Sequence, residues 1–196
     1  MKVLDKIQQQ FALHTESFFT SAELLPRAIE HASDVISQIL LAGNKIMTCG
    51  NASDGLLAQY FASGLLNRFN KERPNLPAFS LTADNTTLSS ITCLYGYEHI
   101  FAKQIRTFGE EGDVLFIIAS QYANNLKLAI TAAQNKKMRV VCLLGQNHIE
   151  LVTLLQEADI AIIAPCETTE LIAEIHFHVI HTLFATLDYQ LFAIET

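Results

Sequence analysis

Two polar loops and one helix face hold the residue types that could do chemistry. Cys49-Gly50-Asn51-Ala52-Ser53-Asp54 follows an apolar run and enters a helical stretch. Ala119-Ser120-Gln121-Tyr122-Ala123-Asn124 follows a second apolar run and offers hydroxyl and amide groups. Asn51, Ser53, Ser120 and Asn124 are the candidate ligand-binding residues. Further on, Glu174, His178 and His181 fall at i, i+4 and i+7 and share one helix face. That spacing can hold a metal or form a polar stripe in a subunit interface. The polar stripe is the preferred reading, so no metal is assigned, and His176 points away from that face.

The elements that must position these groups follow from apolar patterning. Short runs at 45–49, 78–81, 114–118, 139–144 and 160–163 alternate with helical stretches at about 54–69, 86–108 (broken near Gly96), 123–136, 148–156 and 168–188. This is the βαβ pattern, and it predicts an α/β, three-layer doubly wound fold with a five-stranded parallel sheet. Ligands in such sheets sit at the carboxyl ends of strands, which points to the loops after residues 49, 82, 118 and 144. Residues 2–42 read as two helices parted by Pro26, a residue suited to the first turn of a new helix. Leu4, Ile7, Phe11, Phe18 and Phe19 give the first helix more apolar surface than a lone arm would leave wet. Residues 1–42 are therefore expected to be a helical oligomerisation segment within a single domain, 1–196.

Composition narrows the function classes. Half of the 196 residues are hydrophobic, enough for a closed core, yet no run approaches the roughly 18 residues that cross a bilayer. No membrane association is expected. The first ten residues lack a signal-peptide pattern, so the expected location is cytoplasmic. Cys49, Cys93, Cys142 and Cys166 lie far apart and read as packed thiols. A net charge of −7 with only 13 Lys plus Arg argues against direct nucleic-acid binding. Phosphosugars stay open, because a few local donors suffice for them.

Several motifs carry a family resemblance. Cys49-Gly50-Asn51-Ala52-Ser53-Asp54, Glu72-Arg73-Pro74, Gly112-Asp113-Val114-Leu115, Ala158-Asp159-Ile160, Glu174-Ile175-His176 and Val179-Ile180-His181 occur in order over nearly the whole chain. Together they resemble the SIS domain, the flavodoxin-like sugar-isomerase fold. Within it they resemble the phosphoheptose isomerases and their sister group, the DnaA initiator-associating proteins (DiaA). Asn67-Arg68-Phe69, Glu72 to Ala78, Asp84-Asn85 and Gln190-Leu191-Phe192 are more similar to the initiator-associating branch. In that branch a Leu-Phe pair contacts the replication initiator DnaA, which implies a partner-binding role for Leu191 and Phe192. Sealing the end of the last helix is the equally weighted alternative.

The resemblance also implies a catalytic pattern, in which Glu and His move a proton between adjacent sugar carbons and a zinc ion is bound by His, Glu, Gln and His. Tyr60, Gly64, Ala173 and His181 stand at those four positions. Only His181 matches, as a residual catalytic group whose partner Glu is replaced by Gly64, and one ligand of four does not make a zinc site. No cofactor is expected; zinc would be needed only by an isomerase. Asp54 replaces a phosphate-binding Ser and would repel phosphate unless Ser53 takes over. The leading expectation is accordingly a non-catalytic, homotetrameric adaptor in DNA replication initiation, with a degenerate site for a carbohydrate derivative. The alternatives are an isomerase converting sedoheptulose 7-phosphate to D-glycero-D-manno-heptose 7-phosphate, and a phosphosugar sensor without turnover.

Overall fold

A computed structural model describes residues 2–147 and 149–194. Two helices, α1 (Val3–Leu24) and α2 (Pro26–Leu41), precede β1 (Ile46–Gly50), α3 (Ser53–Leu66) and β2 (Ala78–Ser80). Next come α4 (Asn85–Tyr95), a 3₁₀ turn at Tyr97–His99, α5 (Ile100–Phe108), β3 (Val114–Ala119) and α6 (Asn124–Asn135). The chain ends through β4 (Arg139–Gly145), α7 (Ile149–Val152), β5 (Ile160–Ala164) and α8 (Thr169–Phe192). Pro26 stands at the start of α2, where its missing N–H costs no helical bond.

The sheet is five-stranded and parallel, in the order β2-β1-β3-β4-β5. From β1 the chain moves outward to β2, then returns to place β3 on the other side of β1. That reversal opens a crevice at the carboxyl ends of β1 and β3. Strand residues alternate between two layers of core. Ile46, Phe116, Ile118 and Val141 pack with Phe61 of α3 and Phe184 of α8, while Met47, Cys49, Leu115 and Cys142 pack with Ile105 of α5 and Ile130 of α6.

Two aspartates set the strand starts. Asp113 accepts the N–H of Lys45 at 3.0 Å and that of Glu110 at 2.8 Å, tying the entry of β3 to that of β1. Asp159 does the same for β4 and β5 through the N–H groups of Val140 and Gln156, both at 2.9 Å. This explains the two Asp-apolar motifs physically, without any catalytic role.

The expected helix over 148–156 shrinks to α7, four residues long; its first position, His148, lies outside the described residues. The last helix runs four residues beyond 188, so Leu191 and Phe192 form its final turn. Both are half-buried and pack against the core. No helix among the described residues is long and apolar enough to cross a membrane.

Candidate functional site

The crevice is built by the loops after β1 and β3, with contributions from the 3₁₀ turn and the start of α8. A cavity of about 210 Å³ is lined by Asn51, Ser53, Asp54, Tyr97, Ser120 and Tyr122, among others. Ser53 also lines a second, larger cavity of about 600 Å³, whose wall includes Phe18, Ala173, Phe177, His178 and His181. The two cavities therefore meet at the first turn of α3. None of the described residues lining either is a lysine or arginine.

Asn51 is half-buried and held on several sides. Its Oδ1 accepts from the Tyr97 hydroxyl at 2.8 Å and from the Asn125 amide at 2.7 Å, and its own amide reaches Asn125 Oδ1 at 3.0 Å. Tyr97 and the buried Asn125 were not legible as site residues, because one comes from a 3₁₀ turn and the other from the second position of α6. Ser120 is buried, and its N–H and hydroxyl both donate to Asp54 Oδ2 at 2.8 Å. Asp54 thus accepts hydrogen bonds in the cavity wall. Ser53 is exposed at the start of α3. Asn124 is exposed and accepts from the Tyr122 hydroxyl at 3.3 Å, and the cavity wall runs from Ser120 to Ala123 without it.

At the other end of the site, the Tyr60 hydroxyl and His181 Nε2 share a hydrogen bond of 2.9 Å. Rings of Phe69 and Phe177 lie beside His181, with centroids at 5.2 and 4.4 Å. Burial, aided by the neighbouring His178, holds the His181 imidazole below its ordinary pKa of 6.5, so it is neutral at pH 7.

The Glu174, His178 and His181 face does not converge. Glu174 pairs with His14 of α1 at 3.0 Å, His178 meets the edge of Phe18, and His181 turns to Tyr60. Among the described residues no three His, Cys, Asp or Glu side chains are grouped to hold a metal. Zinc does not fit the four positions implied by the resemblance either. A Cβ added at Gly64 would fall on the Phe184 ring, 2.8 Å from Cε1, so that position is filled by an aromatic side chain and has no room for a ligand.

The five-stranded parallel fold points to one family. The SIS domain model matches residues 11–145, more than half of the chain. The chain belongs to the SIS-domain family. Within this family it falls in the phosphoheptose isomerase group. It is 38% identical over 97% of its length to the phosphoheptose isomerase of Alteromonas mediterranea, covering 96% of that protein. It is 43% identical over 88% of both chains to that of Chromohalobacter salexigens. Among solved structures, a phosphoheptose isomerase from Francisella tularensis superposes with a TM-score of 0.93 at 36% identity, over 96% of this chain and 99% of that one.

These relatives overturn the expectation of a non-catalytic adaptor of the initiator-associating branch. Full-length similarity runs to isomerases, and none of it singles out that branch. Leu191 and Phe192, the residues on which the adaptor reading leaned, are packed into the end of α8 against Arg73 and the core.

Proposed function

We propose that this SIS-domain chain is a sugar-phosphate isomerase of the phosphoheptose type, interconverting sedoheptulose 7-phosphate and D-glycero-D-manno-heptose 7-phosphate. The observation that carries this reading is the Tyr60–His181 pair beside the switch-point crevice, in a chain whose relatives are named phosphoheptose isomerases. Aldose–ketose isomerisation needs a base at the C–H and an acid at the carbonyl oxygen. A neutral His181 is suited to accept the proton, and the Tyr60 hydroxyl, 2.9 Å from it, is suited to donate one. Asn51 and Ser53 supply neutral polar groups for the sugar. Because zinc does not fit, no step is assigned to it, and the reaction is expected to persist in EDTA.

The test is incubation of purified protein with sedoheptulose 7-phosphate, following the heptose product. His181→Ala is expected to lower the rate by about 10² to 10⁴. A rate unaffected by that substitution removes His181 from the mechanism, and no turnover by the intact protein removes the isomerase reading.

A second reading, sugar-phosphate binding without turnover, is favoured by the Phe184 ring filling the Gly64 position. Thermal stabilisation by sedoheptulose 7-phosphate without product would select it, by about 2.7 kcal/mol at a hundred times Kd. Either reading is compatible with a cytoplasmic homotetramer, which the exposed apolar side chains of α1 support.

A further inference from the structure

Asp54 is the site residue that the isomerase reading leaves unused. It is the second residue of α3 and only 3% exposed, yet it lines the smaller cavity. Its Oδ2 takes both donors of Ser120, across the gap between the end of β3 and the loop after β1. Two donors on one oxygen, within the first turn of a 14-residue helix, make the surroundings that an incoming phosphate oxygen would seek. The chain's own carboxylate already sits there. No lysine or arginine among the described lining residues offsets a second anion, and like charges repel strongly where water is scarce. The rest of the wall carries no charge: Asn51, Ser53, Tyr97, Gln121 and Thr169 place neutral polar groups beside Ala52 and Ala123, which suits an uncharged polyol.

We propose that Asp54 is a resident anion that withholds Ser120 from the ligand's phosphate, making it the residue that sets the balance between phosphorylated and neutral sugars. This rests on the reading of the crevice as the sugar site, and it adds a specificity element to that reading. The phosphate must displace Asp54 from Ser120 or bind beside it, and in both cases affinity for the phosphorylated sugar is lowered while the neutral part of the ligand is unaffected.

The experiment is calorimetric titration of the full chain with sedoheptulose 7-phosphate and with sedoheptulose, for the wild type, Asp54→Ser and Asp54→Asn. Asp54→Asn keeps the shape and the acceptor for Ser120, so it removes charge alone and serves if Asp54→Ser does not fold. Each folded variant is expected to bind the 7-phosphate about tenfold or more tightly than the wild type, a gain of about 1.4 kcal/mol. Affinity for sedoheptulose should stay within about twofold, since a neutral sugar meets no repulsion from a carboxylate. Asp54→Asn binding the 7-phosphate no more tightly than the wild type, or tightening both sugars alike, overturns the proposal and leaves the isomerase reading standing. Failure of all three proteins to bind either sugar overturns both.

Discussion

At the scale of single residues, the loop after β1 stores strain next to the site. Ala52, which precedes α3, has φ +49° and ψ −122°, a backbone region that glycine enters freely and alanine does not. Such a conformation costs of order 1–3 kcal/mol. Ala52→Gly is therefore expected to stabilise the chain by about 1 kcal/mol and raise Tm by roughly 2–4 °C. A Tm that stays level or falls in differential scanning calorimetry would show that the loop bears no such strain.

Two histidines have pKa values shifted in opposite directions. His14 Nδ1 faces the Gln10 carbonyl at 2.6 Å and Nε2 faces Glu174 at 3.0 Å, so both nitrogens are held as donors. The Gln10 carbonyl, then the Glu174 carboxylate, raise its pKa above 6.5 against some desolvation. His14 then contributes stability that is fully present below pH 6.5 and is lost as pH rises through its folded pKa. His181 is depressed by burial, so its contribution is present above pH 6.5 and is lost as pH falls through its folded pKa. In an NMR titration of the imidazole C–H signals, His14 should show its midpoint above 6.5 and His181 below it; the reverse order would refute the assigned contacts.

At the scale of elements, a buried ion pair joins the loop after α3 to α8. Arg73 and Asp188 meet at 2.7 Å, both side chains at most 1% exposed. The guanidinium also donates to the carbonyls of Gly64, Leu65 and Pro74 at 2.7–3.0 Å, closing the carboxyl end of α3. Removing one member strands a buried charge, so Asp188→Ala should cost about 3–5 kcal/mol in urea denaturation. A loss below about 1 kcal/mol would mean that water reaches the pair. In the sequence, Glu72-Arg73-Pro74 was legible only as a family motif, because its acidic partner lies 115 residues away. The strands were readable because burial on both faces leaves continuous apolar runs. The small size of α7 was not, since short apolar segments look alike as helix or turn.

At the scale of the whole molecule, α1 presents Val3, Leu4, Phe11 and Phe19 to solvent, each more than 60% exposed, while its buried residues are Ser17 and Ser21. So much exposed apolar surface on one helix is the mark of an interface. Light scattering coupled to size exclusion should give a mass four times that of the chain, and Phe11→Glu with Phe19→Glu should lower it. A monomer at all concentrations would count against the oligomerisation role of residues 1–42.

Alternation of apolar runs with amphipathic stretches was enough to read the α/β class, the five strands and the loops at their carboxyl ends, since period and burial are written locally along the chain. The absence of glutamate at Gly64 was legible too. What fills that position was not: Phe184 arrives from α8, 120 residues on. The same holds for Tyr60 meeting His181, for Tyr97 and Asn125 fixing Asn51, and for Asp54 holding Ser120. Each of these contacts joins residues far apart in the chain. Their partners are chosen by the reversal of strand order at β1 and β3, which only the folded sheet decides.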